Sequence, residues 1–216
     1  MQNLKKLQEY YTTIITSGKD NTEHVFDPVE QDFLEGLDEF KCINHGRKCT
    51  ALDIGYGYGQ YVREFLNRGY SVDAVDIISP EILRENIKNT DVNIYQCDIN
   101  QFTDWRSYDI VIAKDILHFF SQDEAKKLLV DNKIHSKKHG LHYYHIFTDI
   151  TRRDKEGQPK VFNGESQFSS KDLSSFLLDL YSGWHINLDF EGYKELSFDK
   201  KYVYFKATKV RFLAIK

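Results

Sequence analysis

The stretch Ala51-Leu52-Asp53-Ile54-Gly55-Tyr56-Gly57-Tyr58-Gly59 decides the fold. It runs from an apolar strand into a turn with glycine at every second position, and a helix follows. Glycine there permits a tight turn and lets a ligand approach the backbone, with the helix N-terminal N–H groups facing it. Further on, Val72-Asp73-Ala74-Val75-Asp76 reads as the next strand with an acid at its carboxyl end. Asp76 falls about 20 residues after the first glycine, where a carboxylate accepts hydrogen bonds from ribose hydroxyls. A nicotinamide dinucleotide site prefers G-x-G-x-x-G, whose third glycine would fall on Gln60; Gly59 comes one residue early. The spacing favours a cofactor without phosphate over one with a pyrophosphate.

Outward from this turn, short strands alternate with helices. Strands are expected over Thr50–Ile54, Ser71–Asp76, Asn93–Cys97, Tyr108–Ala113 and His142–Thr148. Helices are expected over Tyr58–Arg68, Pro80–Lys88 and Gln122–Ile134. Val- and Ile-rich strands separated by helices indicate βαβ units and a parallel sheet covered on both faces. Ser169-x-x-Asp172 has the form of a capping box before a helix carrying Leu173, Phe176, Leu177 and Leu180. Two strands then follow without a helix between them, Trp184–Phe190 and Tyr202–Ile215, the pattern of an antiparallel hairpin closing a sheet edge. The sum is a doubly wound α/β fold with a mostly parallel seven-stranded sheet. Thr151–Gln167 has no clear period and reads as a mobile loop. Upstream, residues 1–17 read as a helix, and Asp27-Pro28 as the start of a second. One domain over 1–216 is expected, with residues 1–48 a helical cap on an α/β core at 49–216.

Composition narrows the function. The chain has 216 residues, 41% hydrophobic and 14% aromatic, enough to fill a sizeable core, and its 3 prolines and 12 glycines argue against long linkers. A net charge of -4 gives no electrostatic reason to bind nucleic acid. No apolar run approaches the ~20 residues that span a bilayer. Cys42, Cys49 and Cys97 are an odd number without zinc-like spacing, which fits a reducing compartment. With no apolar signal core after Met1, the expectation is a cytoplasmic protein, monomeric or homodimeric, acting on a small molecule.

The Asp53-Ile54-Gly55-Tyr56-Gly57-Tyr58-Gly59 run resembles the first motif of class I S-adenosylmethionine (SAM)-dependent methyltransferases, and the resemblance extends from about Ala51 to Thr148. It implies the Rossmann-like methyltransferase fold and SAM as cofactor. It implies a ribose contact for Asp76, a cofactor contact for the adjoining Ile77, and a place for Asp53 near the amino end of the methionine moiety. It also puts Asp98 and Ile99, in Gln96-Cys97-Asp98-Ile99, beside the adenine. Gly55, Tyr56, Gly57, Gly59 and Lys114 join this set, as does Tyr11, whose aromatic face suits a sulfonium cation. Within the family, Arg68-Gly69-Tyr70-Ser71-Val72-Asp73-Ala74-Val75-Asp76, Phe168–Leu173 and Tyr181–Trp184 are similar to the small tellurite-resistance type. That group commonly has Cys and a small polar residue at Tyr56 and Tyr58, and His-Arg where Ser197-Phe198 stand here.

Methyl transfer is an in-line displacement that positioning and exclusion of water accelerate, with a base needed only if the acceptor arrives protonated. Ligands in such sheets sit outside the carboxyl ends of the strands. There Ile110-Val111-Ile112-Ala113 gives way to Lys114-Asp115-Ile116-Leu117-His118. In one helical turn, Asp115 and His118 would share a face at i, i+3 spacing. His118 would be the general base, titrating near pH 6 to 7, with Asp115 orienting it or binding an acceptor amine or hydroxyl. His139, His142 and His145 suggest a metal only superficially, because strand residues three apart point to opposite faces; none is expected. The glycine turn alone leaves two alternatives open: a SAM enzyme that cyclises or transfers the aminocarboxypropyl group, and a non-catalytic SAM-binding protein.

Overall fold

A computed structural model describes residues 8–9, 28–43, 47–87, 91–160, 165–197 and 201–216, with only the backbone at Cys42. The sheet has seven strands: β1 (Thr50–Ile54), β2 (Ser71–Asp76), β3 (Val92–Gln96), β4 (Tyr108–Lys114), β5 (Ser136–Arg152), β6 (His185–Leu196) and β7 (Val203–Ile215). Their order is β3-β2-β1-β4-β5-β7-β6, the doubly wound arrangement that the alternating pattern implies. The chain divides into two compact units, one comprising residues 1–112 and 135–141, the other 113–134 and 142–216.

The first unit holds α1 (Gln31–Ile43), α2 (Gln60–Asn67) and α3 (Pro80–Asn86). β1 and β2 pair in parallel from Thr50↔Ser71 to Ile54↔Val75, and β2 pairs β3 from Val72↔Val92 to Asp76↔Gln96. α1 begins at Gln31 rather than at the Asp27-Pro28 signal, and Asp27 lies outside the described residues. Its buried Phe33 meets Tyr61 and Phe65 of α2 edge to face, at 5.4 and 6.0 Å between ring centroids. α2 stops at Gly69 (φ 76), where the Tyr70 amide bonds back to the Phe65 carbonyl and the Gly69 amide to Leu66. That double closure ends a helix where a left-handed residue is available.

Two buried acids brace this unit. Asp109 of β4 accepts from the Thr50 amide and hydroxyl (2.8 and 3.0 Å), from Lys137 (2.8 Å) and from Arg47 (2.5 Å). Burial alone would raise its carboxyl, but these donors outweigh it and hold it below the usual carboxylate range. Asp73 of β2 receives the Arg106 guanidinium, the Tyr108 hydroxyl (2.7 Å) and the Asn93 amide (2.8 Å).

The second unit holds α4 (Gln122–Ile134), α5 (Ser170–Leu180) and the β6–β7 hairpin, antiparallel from His185↔Ile215 to Leu196↔Val203. The capping box forms: Ser169 Oγ accepts from the Asp172 amide at 3.0 Å. β5 is much longer than the His142–Thr148 expected, because its polar start and end lack apolar alternation and only pairing reveals them. Thr151–Gln167 is correspondingly not simply a loop. Thr151 and Arg152 continue β5, Arg153 bridges to Pro159, and Asp154 accepts from the Glu156 and Gln158 amides in the turn between. Inside, His142 Nδ1 lies 2.8 and 2.6 Å from the hydroxyls of Tyr144 and Tyr181. Among the described residues no helix is long and apolar enough to cross a membrane.

Candidate functional site

All three glycines of the turn have positive φ: Gly55 at 78°, Gly57 at 50° and Gly59 at 75°. Their environments differ. A Cβ on Gly57 would meet nothing within 4 Å, whereas one on Gly59 would run into Leu83 Cδ1 and lie 3.3 Å from Ile87 Cδ1. Gly57 therefore leaves space for a ligand, and Gly59 lets the buried Leu83 of α3 pack close. The Gly55 amide donates to the Val75 carbonyl at 2.8 Å, fastening the exit of β1 to β2.

Asp76, at the end of β2, is tied into this turn. Its Oδ2 accepts from the Gly57 amide at 3.0 Å, and its Oδ1 from the Ile77 and Ile78 amides at 2.7 and 3.3 Å. Burial raises the carboxyl above its ordinary range, against the pull of those three donors. Tyr56 is buried, with its hydroxyl 3.5 Å from the Ile78 carbonyl, and burial first and the nearby Asp76 second raise that hydroxyl far above its ordinary value. Tyr56 is thus a neutral donor. Asp53 is buried in β1. Asp98 caps the short 3-10 turn Ile99–Gln101 by accepting from the Asn100 amide at 2.9 Å, and Ile99 is buried beneath it.

Gln8 adds a contact that sequence reasoning missed. Its Nε2 donates to the Ile77 carbonyl at 2.7 Å, an oxygen Gln96 also approaches at 3.3 Å. A lone glutamine on a helical pattern gives no signal for this. Tyr11, like Tyr10, lies outside the described residues.

In the second unit, Lys114 Nζ lies 3.8 Å from Asp115 Oδ2, and Asp115 Oδ1 lies 3.7 Å from His145 Nδ1. The Asp115 amide donates to the His145 carbonyl at 3.0 Å. Asp115 has φ 54°, so it stands outside the 3-10 turn Leu117–Phe119 that carries His118. The expected Asp115–His118 helical pair does not form, because the chain leaves β4 through a left-handed residue rather than directly into a helix. His118 is buried, and its pKa is lowered to about 3, by burial first and by the Arg152 charge second. This corrects the expectation of a base titrating near pH 6 to 7: the imidazole stays neutral there. His145 is lowered further, to about 2, by burial and then by Lys209, Lys114 and Arg211. Among the described residues no group of three or more His, Cys, Asp or Glu is arranged to hold a metal.

The turn suits SAM on structural grounds. The Cβ position of Gly57 is open, and the Asp76 carboxylate is fixed beside it, so a ribose has both room and an acceptor. Residues 51–140 match the family model described as a methyltransferase domain. No curated protein matches the chain. Solved structures do. The 1,6-didemethyltoxoflavin-N1-methyltransferase of Burkholderia thailandensis, solved with 1,6-didemethyltoxoflavin and S-adenosylhomocysteine, superposes with a TM-score of 0.64 at 16% identity, over 100% of this chain and 89% of that one. TehB from Haemophilus influenzae gives 0.61 at 18% identity, over 95% and 67%. Magnesium protoporphyrin IX methyltransferase from Synechocystis PCC 6803, with bound S-adenosylhomocysteine, gives 0.59 at 14%, over 98% and 99%. At such identities these likenesses establish the fold. Together with the match over residues 51–140, they give a methyltransferase domain on the fold that SAM-dependent methyltransferases share.

Proposed function

We propose that the chain methylates a small-molecule acceptor and works as one domain over residues 1–216, in the cytoplasm, as a monomer or homodimer. The observation that carries the reading is the Asp76 carboxylate fixed by the Gly57 amide beside the open face of Gly57. When bound, SAM supplies an electrophilic methyl group on a sulfonium centre. Asp76 accepts from the ribose hydroxyls, with Gly55, Gly57 and Ile77 shaping the backbone around it. Asp98 and Ile99 take the adenine, Asp53 and Lys114 the methionine end, and Tyr56 narrows the site; Tyr11 completes this set. Gly59 serves it indirectly, by seating α3.

On the acceptor side, Asp115 receives the proton when the acceptor arrives protonated. His118 acts as a neutral hydrogen-bonding imidazole. The net charge of -4 supports a small molecule over nucleic acid. Free Cys49 and Cys97 support a reducing compartment.

Calorimetry with S-adenosylhomocysteine and NAD tests the cofactor. Binding of the first in the low-micromolar range or weaker, and little of the second, is expected; preference for NAD would overturn the reading. Mass spectrometry of products then distinguishes methyl transfer, which leaves S-adenosylhomocysteine and a methylated acceptor, from chemistry that leaves methylthioadenosine.

A further inference from the structure

The two carbonyl oxygens that follow β2 are both met by side chains distant in sequence. Gln8 Nε2 donates to the Ile77 oxygen at 2.7 Å across 69 residues, and Gln96 Nε2 reaches the same oxygen at 3.3 Å. The Tyr56 hydroxyl stands 3.5 Å from the Ile78 oxygen. All of these residues belong to the first unit. Gln8 is half-buried, whereas Gln96 is exposed, so the shorter contact is also the better shielded. Holding a glutamine in one rotamer costs conformational entropy, and a loop carbonyl facing solvent does not require it, because water satisfies such an oxygen.

The effect of that contact lies at the other end of the same peptide group. The Ile77 oxygen shares its peptide with the Ile78 N–H, which donates to Asp76 Oδ1 at 3.3 Å. A trans peptide is planar, with its C=O and N–H pointing in opposite directions. Fixing the oxygen therefore fixes the direction of the N–H. A donor on the oxygen also polarises the group and strengthens the bond that the N–H makes. The Ile78 bond is the longest of the three that reach the Asp76 carboxylate, against 2.7 Å from Ile77 and 3.0 Å from Gly57. It depends most on how its peptide is held.

We infer that Gln8 is a positioning residue of the cofactor site, which sets the orientation of the Asp76 carboxylate through the Ile77–Ile78 peptide. The inference rests on the methyl-transfer reading, in which that carboxylate accepts from the ribose of SAM. Gln8 acts through Asp76, and Gln96 supports the same oxygen more weakly.

The test uses the full chain and Gln8→Met, which keeps the length of the side chain and removes the donor. Calorimetry should find S-adenosylhomocysteine bound ~3-fold or more weakly by this variant. In an Asp76→Ala background the same substitution should change affinity less than ~1.5-fold, because the group it acts through is gone. Without ligand, the Ile78 amide proton should exchange ~3-fold or more faster in Gln8→Met than in the parent. A glutamine that only fastens its own segment would weaken binding by the same factor in both backgrounds and leave the Ile78 amide unaffected. The inference is overturned if Gln8→Met binds like the parent, if its effect persists undiminished in the Asp76→Ala background, or if Ile78 exchange is unchanged. Failure of the parent to bind S-adenosylhomocysteine would instead strike the methyl-transfer reading, and Ile78 exchange alone then decides whether Gln8 holds this peptide against Asp76.

Discussion

Lys137 Nζ lies 2.8 Å from Asp109 Oδ2, within a fully buried carboxylate site that Arg47 and Thr50 complete. Removing one partner of a buried ion pair leaves the others uncompensated, at a cost of about 3–5 kcal/mol. Arg47 and Lys137 keep partial access to water, which places Asp109→Ala near 3 kcal/mol, and urea unfolding at neutral pH reads it. The folded-state carboxyl is depressed, so its contribution is present above the unfolded value near 3.9 and disappears as pH falls through the folded one.

Asp76→Ala should weaken S-adenosylhomocysteine by ~1.5–3 kcal/mol, roughly 10- to 150-fold in dissociation constant, through loss of charge-assisted hydrogen bonds. Calorimetry measures it directly. A variant that binds like the parent would place the cofactor elsewhere.

Gly57→Val and Gly59→Ala should fail in different ways. The first puts a side chain into open space that a ligand needs, so binding falls more than stability, although φ 50° adds strain of about 1–2 kcal/mol. The second drives a Cβ against Leu83 and Ile87 at φ 75°, and should lower stability by ~1–3 kcal/mol before any ligand is added. Urea midpoints and calorimetry on the same pair of variants separate the two effects.

His118, His142 and His145 have folded-state pKa values lowered to about 3, 3 and 2, chiefly by burial. Below the unfolded value near 6.5 the unfolded chain binds protons that the folded chain excludes, so stability falls as pH drops through that point. Each histidine contributes a slope of up to about 1.4 kcal/mol per pH unit, and above ~pH 7 the slope vanishes. Unfolding measured at pH 7, 6 and 5 checks this, and His118→Phe should remove one histidine's share. For the same reason, turnover should show no limb from His118 between pH 6 and 8.

Local patterns were legible where one face or one cap decides the structure. The bounds of β1, β2 and α4 follow from their apolar runs, and the helix at Ser169 follows from its cap. The ends of β5 were not, because Ser136–Gly140 and Asp149–Arg152 are polar and held by neighbouring strands. At the site, the turn and its acid could be read from spacing. The distinct duties of Gly57 and Gly59 could not, since a glycine looks alike whether it faces a ligand or Leu83. Nor could the left-handed Asp115, which separates it from His118 by a change of φ that no spacing encodes.

A carboxylate has about four lone-pair positions. Three of those on Asp76 are filled by the Gly57, Ile77 and Ile78 amides, which leaves one, on Oδ2. A ribose offers a pair of hydroxyls. Either a single hydroxyl docks there, or the second evicts the Gly57 amide and the turn must shift to admit it. The valence of one side chain thus couples occupancy to backbone movement, and the exchange rate of the Gly57 amide proton with and without S-adenosylhomocysteine reports which of the two takes place.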